Sequence, residues 1–136
     1  MIKILEEILD KCRKHTKEGA VANYIPKLAK ANPDEFGISI MLDDGNIYSV
    51  GDSEKRFTMQ SVVKPIILLL ALMDAGEFAV NVGVPAKSGV GGGIMAVVPG
   101  RMGIGLYSPS LDKKGNSVAS IRALELLSEK LDLSIF

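Results

Sequence analysis

The most informative part of the sequence is Gln60-Ser61-Val62-Val63-Lys64-Pro65-Ile66-Ile67-Leu68-Leu69-Leu70-Ala71-Leu72-Met73. A serine and a lysine stand three residues apart and are followed by an almost unbroken apolar run. The run predicts a helix over residues 62–75 that is apolar nearly all round, and such a helix belongs in the centre of a structure. Because positions i and i+3 lie on one face of a helix, Ser61 and Lys64 are predicted to be neighbours at its start.

This serine–lysine pair suits nucleophilic catalysis. A serine hydroxyl is a poor nucleophile at neutral pH and needs a base. Lysine can be that base when its amine is neutral, and burial beside an apolar helix disfavours the ammonium form. The helix N-terminus also stabilises negative charge near Ser61. The alternative is a capping serine followed by a solvated lysine, because an isolated Ser-x-x-Lys match is weak.

A second motif follows at Lys87-Ser88-Gly89, which is predicted to open a strand over residues 87–98. The triplet resembles the Lys-[Ser/Thr]-Gly element of penicillin-recognising serine enzymes. The glycines from 89 to 93 could instead form a flexible turn or a phosphate loop. A P-loop would end in Gly-Lys-[Ser/Thr], which this run lacks. Together the two motifs favour a serine acyl-transfer site.

The remaining pattern predicts one α+β domain over residues 1–136, in which an antiparallel sheet is covered by helices. Apolar spacing predicts helices and alternation predicts strands. The predicted helices span 2–15, 21–30 and 118–131, the last capped by Ser117; the predicted strands span 36–42, 47–50 and 102–107, with turns at 43–46 and 99–100.

Composition excludes several functions. With 16 basic and 16 acidic residues, the chain has no charge excess that would favour nucleic acid or an anionic membrane as partner. Its single cysteine, Cys12, excludes an internal disulfide and is expected to be buried packing. No His, Cys or carboxylate cluster predicts a metal site. The longest apolar run, 65–73, is too short to span a bilayer, and residues 1–10 lack a signal-peptide layout. The prediction is a soluble, cytoplasmic protein.

Several blocks of the chain resemble bacterial serine-dependent glutaminases. The likeness covers nearly the whole sequence, and the Pro-Ala-Lys-Ser-Gly-Val-Gly-Gly-Gly block is highly specific. The blocks that resemble the N-terminal part of the family are 21–29, 36–38, 48–52 and 56–64, and those that resemble its C-terminal part are 76–79, 85–94, 99–104, 107–109, 111–112 and 115–117.

The resemblance implies a β-lactamase-like α/β sandwich that hydrolyses L-glutamine to L-glutamate and ammonia without a cofactor. It implies that Ser61 attacks the side-chain amide carbon and that Lys64 moves the proton. Gln60 and Ser61 match the substrate-contacting stretch, and the Val90 and Ser61 N–H groups match the oxyanion hole. Lys87 matches the strand lysine, and Ser88 and Gly89 beside it are possible site residues.

The sequence departs from the family between the two motifs. Only 22 residues separate Lys64 from Lys87, where the family has a large, mostly helical region. Residues 1–73 therefore resemble the N-terminal part of a glutaminase and residues 74–136 its C-terminal part, with the helical subdomain absent. That region would supply groups that hold the substrate and assist Lys64. Two alternatives follow: an inactive remnant that self-associates as a homo-oligomer through uncovered apolar surface, or a serine acyl-hydrolase with an open site.

Overall fold

The computed structural model describes residues 1–64, 86–98 and 100–133. Five strands and two long helices form the framework of the described chain. Their bounds are α1 Ile2–Arg13, β1 Gly37–Leu42, β2 Ile47–Gly51, β3 Lys87–Ser88, β4 Gly93–Val98, β5 Met102–Tyr107 and α2 Val118–Leu131. The predicted apolar helix over residues 62–75 lies almost entirely outside the described residues, apart from its first three.

The strands form one antiparallel sheet in the order β2-β1-β5-β4-β3. The hairpin β1–β2 closes through the predicted turn at 43–46, where Gly45 has the positive φ of 84° that the turn requires. Pairing of β1 with β5 joins this hairpin to the C-terminal strands, with Ile40 opposite Ile104. The predicted antiparallel sheet is confirmed, and its central strand is β5.

Alternation along the strands places an apolar row on one face, which α1 and α2 cover. This core is fully buried at its centre, including Leu5 and Ile8 of α1, Ile38 and Ile40 of β1, and Leu127 of α2. Close packing of such side chains supplies most of the free energy of folding. The predicted arrangement of terminal helices against the sheet is confirmed.

Polar contacts fix the two helices to each other and to the sheet. Glu7 of α1 accepts hydrogen bonds from Lys11 at 2.7 Å and from Lys130 of α2 at 2.9 Å. The Arg101 guanidinium, in the β4–β5 turn, donates to the carbonyl oxygens of Leu131 and Asp132. Leu131 is the last residue of α2 and Asp132 is its C-cap. Carbonyl oxygens at a helix C-terminus have no N–H partner within the helix.

Three local predictions were wrong. Within the predicted helix 21–30, only Leu28–Lys30 is helical, as a single 3₁₀ turn. (The first predicted helix, 2–15, is α-helical to Arg13 and continues over residues 14–18 as a 3₁₀ helix.) Residues 87–98 form a hairpin, in which β3 pairs with β4 around the glycine turn, instead of one strand. Ser117 does stand at the N-cap of α2, but its hydroxyl donates to Ser120 Oγ and makes no capping bond to the backbone.

The opposite face of the sheet, called the outer face below, carries the side chains that point away from the two long helices. One row runs through Ile47, Met41, Gly103 and Val97, which are paired across β2, β1, β5 and β4. Its three apolar side chains are exposed, Ile47 by 65%. The same register places Lys87, beside Met95, on this face.

Candidate active site

The nucleophile candidate lies in a short 3₁₀ helix, Gln60–Val62, that leads into helical backbone at Val63 and Lys64. Ser61 is half-buried, whereas Val62 is buried and anchors the turn. The N–H groups of a first helical turn have no acceptor within the helix. The Ser61 N–H therefore has no acceptor within its own turn.

Gln60, directly before the serine, has a left-handed backbone with φ of 49°. A non-glycine residue pays for this conformation, and such strain persists only where neighbouring structure imposes it. The Gln60 side chain is exposed, and its amide donates to Thr58 Oγ1 at 3.4 Å. Gln60 thus redirects the chain immediately ahead of Ser61.

The glycine turn of the β3–β4 hairpin packs directly against this segment. A Cβ atom on Gly89 would lie 2.9 Å from the Met59 carbonyl oxygen and 3.1 Å from Val62 Cγ2. Gly91 approaches the Thr58 carbonyl oxygen in the same way. These glycines therefore serve close backbone approach, and the structure brings the Lys87-Ser88-Gly89 segment beside Ser61.

The two polar side chains of that segment lie on opposite faces of the sheet. Lys87 is half-buried on the outer face, and its Nζ donates to the Ser88 carbonyl oxygen at 3.0 Å. Ser88 donates through Oγ to Asn116 Oδ1 at 3.2 Å, in the loop before α2. Ser88 therefore ties the hairpin to that loop, and its hydroxyl is occupied by this bond.

Val90 is held by a small second core. Its half-buried side chain packs with Ile25 against a cluster of Ala22, Leu28 and Leu111. Among the residues that the structure describes, none accepts a hydrogen bond from the Val90 N–H. The side chain thus fixes the position of Val90.

Lys64 is exposed. A neutral Lys64 amine would require burial, and the described residues do not provide that burial. The two segments that meet here carry all the site residues predicted from the sequence, namely Gln60, Ser61, Lys64, Lys87, Ser88, Gly89 and Val90. Of these, Ser88 already uses its hydroxyl in the hydrogen bond to Asn116.

A buried polar group beside the site was missed by the sequence reasoning. The Tyr107 hydroxyl donates to Glu35 Oε2 at 3.0 Å, and Lys55 Nζ lies 2.6 Å from Glu35 Oε1. The Tyr107 ring stacks on Phe57, with ring centroids 4.5 Å apart. Burial, followed by the bond to Glu35, raises the pKa of the Tyr107 hydroxyl far above its usual value. Glu35 and Tyr107 are 72 residues apart in the chain, so no local pattern indicates their contact.

Across residues 1–64, 86–98 and 100–133, no three His, Cys, Asp or Glu side chains lie close enough together to hold a metal ion. Within the same ranges, no helix has the length and apolarity needed to cross a membrane.

Comparison with known sequences gives one consistent family. The sequence model of the glutaminase family matches residues 19–76 and 73–136. The glutaminase of Clostridioides difficile is 66% identical over 76 residues, which are 55% of this chain and 25% of that protein. The glutaminase of Clostridium tetani is 52% identical over 99 residues, which are 72% of this chain and 32% of that protein. The chain thus spans a third or less of the length of these relatives.

Solved structures share the fold. A probable glutaminase, ybaS, superposes with a TM-score of 0.83 at 20% identity, and the match covers 100% of this chain and 99% of that one. A probable glutaminase from Bacillus subtilis complexed with 6-diazo-5-oxo-L-norleucine gives a TM-score of 0.80 at 20% identity, covering 97% of this chain and 95% of that one. These likenesses confirm the β-lactamase-like α+β fold, and the family match rests on the sequence. The chain belongs to the glutaminase family.

Proposed function

We propose that this chain carries the nucleophilic half of a glutaminase site and forms a γ-glutamyl ester at Ser61. The observation that carries the proposal is the packing of Gly89 and Gly91 on residues 58–62, which brings the second motif beside the serine. A covalent complex of a structural neighbour, the Bacillus subtilis glutaminase YbgJ, with 5-oxo-L-norleucine supports a nucleophile in this fold.

In the proposed reaction Ser61 Oγ attacks the side-chain amide carbon of L-glutamine. The hydroxyl proton passes to the neutral form of the Lys64 amine and from there to the departing nitrogen, which leaves as ammonia. Water then cleaves the ester, releases L-glutamate and restores the serine hydroxyl. The N–H groups of Ser61 and Val90 would stabilise the oxyanion, a contribution typically worth a factor of about 10²–10³ for each donor.

The short chain limits the complete turnover of glutamine more than it limits the acylation of Ser61. Lys64 is exposed. The 99 matched residues are 32% of the Clostridium tetani glutaminase, so most of that relative's chain remains to cover a site and hold a substrate. Positioning supplies much of an enzyme's rate, and water in an open site weakens electrostatic stabilisation. We therefore propose that acylation of Ser61 is retained, whereas glutamine turnover is slow and substrate selectivity is low. Residues 1–73 and 74–136 would be the N-terminal and C-terminal parts of the family's chain.

Two measurements test this proposal. Ammonia release from L-glutamine is compared between the wild-type chain and Ser61→Ala, and the adduct formed with 6-diazo-5-oxo-L-norleucine is located by mass spectrometry. We expect an adduct on Ser61 and a small, Ser61-dependent release of ammonia. Equal ammonia release from both chains, with no adduct on Ser61, would exclude a glutaminase function.

An open-site acyl-hydrolase is the second candidate, and the exposure of Lys64 favours it. Its test is an activated ester such as p-nitrophenyl acetate, offered with and without L-glutamine. Rapid Ser61-dependent ester cleavage that glutamine does not slow would favour the hydrolase. Protection by millimolar glutamine would instead favour the glutaminase site.

A further inference from the structure

The buried Glu35 carboxylate links the end of the sheet to the chain that leads into the nucleophile. Glu35 precedes β1 and is 8% exposed. One of its oxygens accepts the Tyr107 hydroxyl, and the other pairs with Lys55, six residues before Ser61. Since a buried carboxylate is costly unless both oxygens have partners, each of these contacts depends on the other.

The ring of Tyr107 makes a second contact with the segment before Ser61, at Phe57. Phe57 stacks on it with an angle of 13° between the ring planes. Tyr107 is opposite Gly93 on the neighbouring strand, and a Cβ atom there would lie 2.5 Å from Phe57 Cε2. The Phe57 ring therefore occupies the space that a side chain on β4 would fill. Stacked aromatic pairs contribute beyond their buried area, so this contact is a directional anchor.

The two anchors precede the strained residue by only a few positions. Between Phe57 and Ser61, the chain passes Gln60 with its left-handed backbone. Glycine contacts hold this stretch from the hairpin side, at Thr58 and Met59. A strained backbone needs such restraint on both sides, because otherwise it relaxes to an ordinary conformation.

We propose that Tyr107 is a positioning residue for Ser61, acting through its hydrogen bond to Glu35 and its stack on Phe57. In this role it acts through these two contacts and takes no part in the bond changes at Ser61. Its role rests on the proposed function, since it sets the orientation of the serine that is acylated. Loss of the hydroxyl frees the Lys55 end of the segment, and loss of the ring frees the Phe57 end as well.

The test compares Tyr107→Phe and Tyr107→Leu with Tyr48→Phe as the matched control. Tyr48 is a half-buried tyrosine of β2 that packs against the main core, away from the nucleophile segment. Ser61 labelling by 6-diazo-5-oxo-L-norleucine is followed over a range of reagent concentrations. We expect Tyr107→Phe to lower the maximal labelling rate about 10-fold, less than the roughly 100-fold that a 1 Å misplacement costs. The half-saturating concentration should change little, and Tyr48→Phe should label like the wild type.

A readout without chemistry separates this inference from the proposed function. Hydrogen exchange of the backbone amides is measured by mass spectrometry for the same chains. We expect faster exchange in peptides covering residues 55–62 in Tyr107→Phe, more so in Tyr107→Leu, with α1 and α2 unchanged. If the wild type does not label, the proposed function fails, and the exchange data still decide the positioning role. Wild-type exchange across 55–62 in Tyr107→Phe, or equal loss of protection throughout its chain, would overturn that role.

Discussion

The Met59 carbonyl oxygen lies 2.9 Å from the point at which a Cβ atom would stand on Gly89. Real Cβ atoms essentially never come this close to a backbone oxygen, so a side chain at position 89 must displace one of the two segments. The glycine is therefore a contact residue of the Ser61 turn.

Gly89→Ala is expected to slow Ser61 labelling by about 10-fold or more, because the turn that carries the serine must shift. The measurement is the labelling rate with 6-diazo-5-oxo-L-norleucine, with far-UV circular dichroism to check the fold. Gly103→Ala is the matched control, since a Cβ atom there would meet nothing within 4 Å. Wild-type labelling by Gly89→Ala would contradict the assigned contact.

The sequence predicted the elements whose patterns are local, and it indicated the two motifs of the candidate site. Alternation predicted β1, β2 and β5, and helical spacing predicted α1 and α2, because burial on one face imposes these periods. The glycine run forms the turn between β3 and β4, which agrees with the alternative of a turn and not with one strand over residues 87–98. Gly89 and Gly91 lie so close to the backbone of residues 58 and 59 that a side chain would not fit. Such long-range packing leaves no periodic signal in the sequence. The Tyr107–Glu35 contact escaped prediction for the same reason.

Acid stability should depend on Glu7, whose pKa is lowered to about 2 by hydrogen bonds from Lys11 and then from Lys130. The unfolded chain takes up this proton near 4.5, whereas the native chain resists it. Glu7 thus contributes stability above about pH 4.5, and that contribution is lost as the pH falls towards 2. We expect the melting temperature of Glu7→Gln to fall less steeply than that of the wild type across this window.

Thermal melts by circular dichroism from pH 2 to 7 measure this difference. Glu6→Gln, an exposed neighbour on α1, is the control for the loss of one carboxylate. High salt should reduce the effect of Glu7→Gln, since Glu7 and its partners are at the surface. Parallel wild-type and Glu7→Gln curves at low salt would show that the contacts do not stabilise the fold.

Cys12 should be unreactive in the folded chain. It lies on the side of α1 that faces the main core and is 1% exposed, and burial raises the pKa of its thiol. Both effects suppress the thiolate that reacts with disulfide reagents. Titration with 5,5′-dithiobis(2-nitrobenzoate) at pH 8 should give a slow reaction in buffer and a fast, stoichiometric one in guanidinium chloride. Fast reaction in buffer would show that α1 opens readily from the core.

Self-association remains a prediction, and the outer face is where it can be tested. Ile47, Met41 and Val97 share one row of this face and are 65%, 53% and 38% exposed. An exposed apolar row on a sheet favours association, and a charge placed in it opposes association. We expect light scattering to give a mass above the 14.5 kDa of one chain, and Ile47→Lys to lower it.

The matched control is Ile2→Lys, at an exposed isoleucine of α1 that lies outside the outer face. A clean monomer for the wild type would contradict the prediction, and an equal effect of Ile2→Lys would show that the outer face is not the contact.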